Sequence, residues 1–454
     1  MAKVRIECDP RIGSDVTVGG KGDKRILLGR TIDSGRQREV RFDSEANFVV
    51  LEVGKRGSGK SFGMGAALES FATTEDNCSI AQHGPHRRGV LLLDPLDVHW
   101  TAIYPVSAAG SKDMQEQHKL LQPWPQVSID KVNVEVFMPA GCERPDDPQV
   151  FRPYHIPVTE LSPEDLCLMY GANLISDPPG MLIGELHDKV SRTGYRVDQV
   201  DIDPKTTFGL QDLIDCTFDD DIQASYQPMT IRAVKQRLTS WSRDPLFQEA
   251  TGTPICELVQ SGKLSILCLN RLSDDMRSVL TSVVVRKIKT ERASASQRER
   301  RRAFDPTFPA PIDNEMPRTI LAIDEAQMIL PANGGGHARA AVEAYVLEGR
   351  NFGLSIWLAT QRPKGAISER AKSQLDTLIV HKLSTSEDID AISGLLQSRL
   401  PSSVKVNDQR VEIEDLIRHL SVGTALISSA DSDAERAFVA ELRPRVVAHG
   451  GKAF

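Results

Sequence analysis

This sequence has few aromatic side chains, no excess of positive charge and no long apolar run. Phe, Trp and Tyr make up 5% of the residues, which argues against a binding surface built from many base-stacking rings. Lys and Arg number 55 against 62 Asp and Glu, a formal net charge of −7. This balance argues against a small, wholly basic module that coats nucleic acid. It leaves open a basic channel inside an acidic assembly.

Signals for secretion, membrane insertion and disulfide pairing are missing as well. The first ten residues contain no apolar stretch of signal-peptide length, and no apolar run reaches about 18 residues. The seven cysteines are scattered, odd in number and never spaced as CxxC, which suggests neither a disulfide framework nor a zinc site. We therefore expect buried thiols in a reducing compartment, and a cytoplasmic protein that does not enter a membrane.

The chain does have a globular composition and the pattern of a buried sheet. Its 454 residues are 40% hydrophobic and 26% charged, which rules out global disorder. From residue 48 onward, short apolar runs are bounded by turn residues, as in strands that are buried on both faces of a parallel sheet. The runs are 48–53, 90–93, 264–269, 320–323, 354–359, 378–383 and 425–427.

These runs predict an α/β fold with a mostly parallel sheet, in a chain long enough for two to four domains or one domain with insertions. Residues 1–45 predict a short β-rich region. Residues 46–150 and 261–454 predict the two parts of the sheet core, the second with a C-terminal tail. Residues 151–260 carry helical signals without a convincing central strand, and they predict an inserted helical subdomain.

A glycine-rich segment after the first buried run carries the strongest functional signal. Residues 54–61 fit G-x-x-x-x-G-K-[ST] and open a predicted helix with apolar residues at i, i+3, i+4 and i+7 from Met64. In that order of elements, backbone N–H groups and the helix N-terminus face phosphate oxygens. Lys60 would reach the β- and γ-phosphates of ATP, and the Ser61 hydroxyl would bind Mg²⁺. The alternative is a glycine-rich turn with an exposed lysine. The predicted nucleotide-binding residues are Gly54, Arg56, Gly57, Ser58, Gly59, Lys60, Ser61 and Phe62.

Two acids at the end of the run 320–323 supply the expected second half of such a site. Asp324 would hold the Mg²⁺ shell, and Glu325 would act as general base on the attacking water. Paired acids at the end of a strand are otherwise often the N-terminal cap of a helix.

Two further residues are predicted to act on the phosphate. Gln361 follows the run 354–359 and would hydrogen-bond the γ-phosphate and the water, so that it reports hydrolysis. Arg350 precedes the same run and would reach across a subunit boundary to the charge of the transition state. The alternative for Arg350 is a surface ion pair.

Together these segments resemble the HerA/FtsK superfamily of P-loop ATPases, and specifically its HerA branch. The residues that carry the resemblance lie in order along most of the chain. They are 54–61, Leu92-Leu93-Asp94-Pro95, Ile323-Asp324-Glu325-Ala326, Gly349-Arg350-Asn351-Phe352-Gly353-Leu354, Ala359-Thr360-Gln361-Arg362-Pro363, Ser373-Gln374-Leu375-Asp376-Thr377, Arg443-Pro444-Arg445 and His449-Gly450-Gly451.

The resemblance implies RecA-like ATPase domains in a homohexameric ring that translocates or unwinds double-stranded DNA, with ATP and Mg²⁺ bound between neighbours. It implies that Lys60 and Ser61 bind nucleotide and metal, that Asp324 and Glu325 form the Walker B pair, and that Gln361 is the sensor. Arg350 would be the arginine finger that acts in trans. It also implies a partner, a NurA-like nuclease or another effector, in DNA end processing or anti-phage defence.

The chain departs from the family pattern at several places. Only about 45 residues precede the first core strand, so the family's N-terminal β-barrel is expected to be abbreviated. After Asp94 the family often has Gly-Glu, whereas this chain reads Leu96-Asp97-Val98. The segment 331–339 and the arginines of 298–302 are candidates for DNA contacts, with a mobile loop and a solvated helix end as the respective alternatives.

Two functional hypotheses from different classes remain. The first is a DNA-dependent motor that steps along a duplex. The second is a scaffold ATPase whose nucleotide-dependent ring assembles and activates a partner effector without DNA translocation. A relative of conjugative pumping ATPases is a weaker third hypothesis, because no apolar run is long enough to cross a membrane.

Overall fold

The computed structural model describes residues 16–32, 38–129, 131–247, 251–312, 314–330, 336–365, 368–396, 403–406, 409–429 and 437–451. Most of its strands join one sheet, and helices cover that sheet. The strands are β1 (Val16–Val18), β2 (Arg25–Thr31), β3 (Glu39–Asp43), β4 (Val49–Val53), β5 (Gly89–Asp94), β6 (Val134–Pro139), β7 (Arg152–Tyr154), β8 (Tyr195–Val197), β9 (Val200–Ile202), β10 (Leu264–Cys268), β11 (Thr319–Ile323), β12 (Leu354–Thr360), β13 (Thr377–Val380), β14 (Ser403–Val406), β15 (Gln409–Glu412), β16 (Thr424–Ser429) and β17 (Phe438–Leu442).

Helices connect these strands, as the sequence pattern predicts. They are α1 (Lys60–Phe71), α2 (Lys112–Lys119), α3 (Pro163–Tyr170), α4 (Pro178–Asp188), α5 (Leu210–Cys216), α6 (Asp220–Ser225), α7 (Pro228–Trp241), α8 (Ile255–Leu258), α9 (Asp274–Phe304), α10 (Ala326–Ile329), α11 (His337–Gly349), α12 (Glu369–Lys372), α13 (Ser386–Leu396) and α14 (Ile413–His419).

The large sheet has 13 strands among the described residues, in the order β1-β3-β2-β17-β16-β13-β4-β12-β11-β5-β10-β6-β7. The eight strands from β13 to β7 in that order pair in parallel. In this register Ile323 of β11 lies between Leu93 of β5 and Leu358 of β12. The strand ends that carry Asp94, Asp324 and Gln361 therefore meet at one edge, where ligands bind in sheets of this kind.

Both faces of the parallel part are covered, which explains its continuous apolar runs. Leu51 and Leu91 belong to an apolar cluster that includes residues of α9 and of the helices between residues 158 and 258. Val50 and Val90 point to the opposite face and cluster with Met64 and Leu68 of α1. The predicted fold class, α/β with a mostly parallel sheet, is confirmed.

The N-terminal strands extend the same sheet through an antiparallel pair between β2 and β17. Between β7 and β10 the described chain adds no strand to the large sheet, and it forms α3 to α8 with the β8–β9 hairpin. The helix predicted near residue 159 begins at Pro163, where Ser162 and Asp165 form a capping box. The three domain boundaries predicted from sequence remain predictions. In the structure, the segments 46–150 and 261–454 contribute interleaved strands to a single sheet.

The arginines at the end of α9 have partners within the chain. Arg298 and Arg302 form ion pairs with Glu315, with N–O distances of 2.6 and 2.5 Å. Arg300 donates to the Asn351 carbonyl at 2.8 Å, and the guanidinium of Arg301 lies 4.6 Å from the centre of the Phe308 ring. These contacts favour the solvated helix end over a surface reserved for DNA phosphates.

The other candidate DNA segment is described only in part. Residues 331–335 lie outside the described residues, whereas Arg339 donates to the Gly365 carbonyl at 3.0 Å. Its role in contacting DNA remains a prediction.

Candidate nucleotide-binding site

The phosphate-loop segment forms a tight turn between β4 and α1. Gly57 and Gly59 have φ angles of +76° and +98°, which L side chains rarely adopt. A Cβ at Gly54 would lie 2.4 Å from the Ser58 hydroxyl oxygen and 2.7 Å from the His381 Cβ, so the backbone passes too closely for any side chain. α1 begins at Lys60, and its N-cap residue Gly59 has no side chain to cover the first N–H groups. The turn thus leaves the N-terminal N–H groups of α1 available to bind an anion.

Lys60 does not point into solvent, so the interpretation as a turn with an exposed lysine is wrong. Its side chain is 3% exposed, and its Nζ lies 2.9 Å from Asp324 Oδ1 and 3.1 Å from Glu325 Oε1. Burial alone would lower the pKa of Lys60, but the two carboxylates outweigh it and the net pKa is raised. The Nζ also lies 3.4 Å from the Ser61 hydroxyl. The Lys60 ammonium therefore contacts the two predicted metal ligands, Ser61 and Asp324, and the predicted base, Glu325.

Glu325 has the position of a helix N-cap but not the contacts of one. It precedes α10 with φ at +46°, a rare left-handed conformation for a glutamate, and its side chain forms no capping hydrogen bond. The carboxylate instead turns toward Lys60 and accepts a hydrogen bond from Gln361 Nε2 at 2.7 Å. Strained backbone at a buried acid is a feature of functional sites.

Gln361 and Gln327, a residue that the sequence analysis missed, donate to different oxygens of this carboxylate. Gln327 Nε2 donates to Glu325 Oε2 at 2.5 Å, and its own Oε1 accepts from the Thr360 hydroxyl at 2.7 Å. Gln327 is the second residue of α10 and lies two residues after Glu325. Its polarity in an otherwise apolar four-residue helix was a signal that sequence reasoning could have used.

Asp324 is completely buried at the end of β11. Burial alone would raise its pKa, but the charge of Lys60 and the hydrogen bond from His99 outweigh that effect and the net pKa is lowered. The carboxylate is therefore ionised. His99 lies in the loop after β5, 225 residues away in sequence, and was also missed.

Arg350 is the one predicted catalytic residue that the structure places away from this constellation. It lies before β12, whereas Gln361 follows β12, and the seven residues of that strand span about 23 Å. Its side chain is 60% exposed and lies 3.7 Å from Asp376. Within one chain Arg350 does not reach Lys60, so its predicted role requires a second copy of the chain.

The residues present fit Mg²⁺ and a nucleoside triphosphate. In the described part of the chain, no three His, Cys, Asp or Glu residues are grouped as a metal cage. Mg²⁺ at phosphate sites needs no such cage, since it binds one or two protein oxygens, phosphate oxygens and water. Ser61 and Asp324 supply such oxygens, and the buried Ser58 hydroxyl has no hydrogen-bond partner of its own. The predicted roles of the individual residues remain predictions.

The sequence is similar to two curated proteins. It is 26% identical to the DNA double-strand break repair helicase HerA of Saccharolobus solfataricus over 179 residues, 39% of this chain and 31% of that protein. HerA of Sulfurisphaera tokodaii is 26% identical over 133 residues, 29% of this chain and 24% of that protein. The chain thus matches less than a third of the length of either relative. No known family model matches the sequence.

The fold is similar to that of VirB4 of Thermoanaerobacter pseudethanolicus, with a TM-score of 0.55 and 13% identity, over 93% of this chain and 98% of that one. Among the residues that the structure describes, every helix is too short or too polar to span a membrane. The chain thus has the fold of that protein together with a phosphate-loop segment, and its predicted resemblance to HerA-like ATPases is confirmed.

Proposed function

We propose that this chain hydrolyses ATP with Mg²⁺ as a subunit of a homohexameric ring that translocates double-stranded DNA. It would act with a NurA-like nuclease or another effector subunit, in DNA end processing or anti-phage defence. The observation that carries the ATPase is the convergence of Lys60, Asp324, Glu325 and Gln361 on one buried point at the edge of the sheet. The matched HerA sequences support the assignment to DNA.

Glu325 is arranged to accept a proton from water through one oxygen. Its Oε1 accepts from both Lys60 and Gln361, which occupies that oxygen's two lone pairs. Its Oε2 accepts only from Gln327 among the described residues, so one lone pair remains for an attacking water. When bound, Mg²⁺ supplies neutralisation of the phosphate charge. Lys60 carries the positive charge that the β- and γ-phosphates need, and Gln361 and Gln327 fix the orientation of the base.

The position of Arg350 supports the ring. A planar guanidinium stabilises the transition-state charge of phosphoryl transfer, but this one lies at the opposite edge of the sheet from its own phosphate loop. A neighbouring copy would present Arg350 to the site, which makes the interface between copies part of each active centre.

The scaffold ATPase remains the second candidate, because the α9 arginines have partners inside the chain and the net charge is −7. Steady-state ATP hydrolysis with and without linear double-stranded DNA separates the two, with Glu325→Gln as the blank. The translocase predicts stimulation by DNA that falls steeply as salt rises. Hydrolysis indifferent to DNA would favour the scaffold, and rates no higher than the blank would contradict both.

Arg350→Ala should lower hydrolysis by about 10³-fold or more if the arginine acts in trans. Mixing it with Glu325→Gln subunits should restore part of the activity. An interface that joins an intact Glu325 on one subunit to an intact Arg350 on the next is complete, although each variant alone is inactive. Mixed rings should be verified by native mass spectrometry, and verified mixing without any rescue would contradict the assignment.

A further inference from the structure

His99 lies in a loop whose shape is fixed by a single carboxylate. Asp94, fully buried at the end of β5, accepts hydrogen bonds at 2.7 to 3.0 Å from the backbone N–H groups of Leu96, Asp97, Val98 and His99. Asp97 in the same turn has a φ of +61°. The loop therefore has little freedom, and it delivers the His99 ring to a defined place. It is also the loop in which this chain departs from the Gly-Glu pattern of the resembled family.

The His99 ring is completely buried, and Asp324 is its one polar contact among the described residues. The distance from His99 Nε2 to Asp324 Oδ2 is 3.0 Å. An ionised carboxylate only accepts hydrogen bonds, so Nε2 is the donor. Asp324 Oδ1 already accepts from Lys60 Nζ and from the backbone N–H of Glu325, both at 2.9 Å. His99 is thus the group that fixes the second oxygen and, with it, the rotation of the carboxylate.

The rest of the ring argues against a role in packing alone. Its Nδ1 is buried and has no hydrogen-bond partner in the described part of the chain, which is unfavourable because a buried polar atom has lost its hydrogen bond to water. An apolar side chain would fill the same space without that cost. The ring packs against His449, at 5.5 Å between centroids, and His449 in turn packs against Phe62 at 5.6 Å. These neighbours hold the ring in place, and its hydrogen bond goes to Asp324.

We propose that His99 is a positioning residue that orients Asp324 toward the Mg²⁺ shell by donating a hydrogen bond to Oδ2. This inference rests on the proposed ATPase. With Oδ1 engaged by Lys60 and Glu325, the Nε2–Oδ2 bond leaves one lone pair of Oδ2 that would be available to the Mg²⁺ shell. Removing the donor lets the carboxylate rotate, whereas the phosphate loop that binds the nucleotide itself is unchanged.

The test compares His99→Gln with His99→Asn in the full chain. A glutamine can place its amide N–H where Nε2 lies, whereas the shorter asparagine amide reaches only the position of Nδ1. Binding of a fluorescent ADP analogue is measured with Mg²⁺ and with a chelator. We expect His99→Asn to lose about 10- to 100-fold of the tightening that Mg²⁺ produces, as is usual when the partner of a metal ligand is removed. Binding without Mg²⁺ should be unchanged, and His99→Gln should remain near wild type.

Matched controls are His187→Asn and His187→Gln. His187 is a half-buried histidine whose Nε2 likewise bonds one oxygen, the Leu161 carbonyl at 3.1 Å, and neither change should alter the Mg²⁺ effect. Equal behaviour of the two His99 variants, whether both match wild type, both lose the effect or both fail to fold, would overturn the proposal. So would wild-type binding that is indifferent to Mg²⁺. Failure of the proposed function is distinct, since it shows as wild-type hydrolysis no faster than the Glu325→Gln blank.

Discussion

Glu325→Gln should bind ATP and Mg²⁺ about as well as the wild-type chain, yet lose about 10²- to 10⁴-fold of its turnover. The amide has nearly the shape of the carboxylate, so it can still accept a hydrogen bond from Gln361 or Lys60. It cannot take up the proton that the attacking water must release. Lys60 keeps Asp324 as its ionic partner at 2.9 Å, so the buried ammonium does not lose all of its compensating charge.

The measurement is steady-state hydrolysis together with nucleotide binding, so that loss of chemistry is separated from loss of affinity. Glu343→Gln is a suitable control, because Glu343 lies on α11 and contacts Arg339 at 3.7 Å rather than any residue of the site. Turnover of Glu325→Gln equal to that of the control would make the assignment of the base wrong. Loss of binding along with turnover would show that the change had disrupted the phosphate loop.

The central strands and the phosphate loop were predictable because their signals are local. β4, β5, β11 and β12 are buried on both faces and therefore read as uninterrupted apolar runs, and their observed bounds lie within one or two residues of the predicted ones. β6 and β7 were not predicted from the apolar runs. They lie at one end of the sheet, β6 contains Glu135 and ends at Pro139, and β7 has three residues, so neither gives a long apolar run.

The residues of the candidate site likewise fall into those with a local sequence signal and those without one. Lys60, Asp324 and Gln361 follow strands that pair in parallel, so their approach to one edge could be inferred from strand order alone. His99 could not be found in that way, because its contact with Asp324 depends on the turn that Asp94 imposes on the following residues. Nor does any local pattern indicate that a C-terminal histidine, His449, packs against the residue after Ser61.

The C-terminal segment reaches the site because α1 and the residues after β17 share a buried ionic cluster. Glu69 of α1 accepts from Arg443 Nη1 at 2.7 Å and from the backbone N–H of Val446 at 2.9 Å. Arg445 Nε lies 3.5 Å from the other carboxylate oxygen. Arg443 and Glu69 are 0% exposed, and Arg445 is 1% exposed. One carboxylate thus compensates two buried guanidinium groups and anchors the tail that carries His449.

Glu69→Ala should accordingly be among the most destabilising single changes in this chain. It leaves two guanidinium groups buried without their counter-charge, and breaking one partner out of a buried ion pair costs about 3–5 kcal/mol of the free energy of unfolding. The measurement is urea-induced unfolding of the purified chain, followed by far-ultraviolet circular dichroism and tryptophan fluorescence. Because the same carboxylate holds residues 446 and 447, nucleotide binding should weaken at urea concentrations that leave the wild-type site intact.

Glu441→Ala is the matched control for that change. Glu441 also pairs with an arginine, Arg30 at 2.8 Å, but its side chain is 38% exposed, and exposed pairs contribute at most about 1 kcal/mol. The two glutamates differ in burial rather than in charge or partner type, so their comparison isolates the effect of removing a counter-charge from the interior. If Glu69→Ala unfolds at the same urea concentration as Glu441→Ala, the cluster does not anchor the tail. Other contacts of the C-terminal segment would then have to hold His449 against His99.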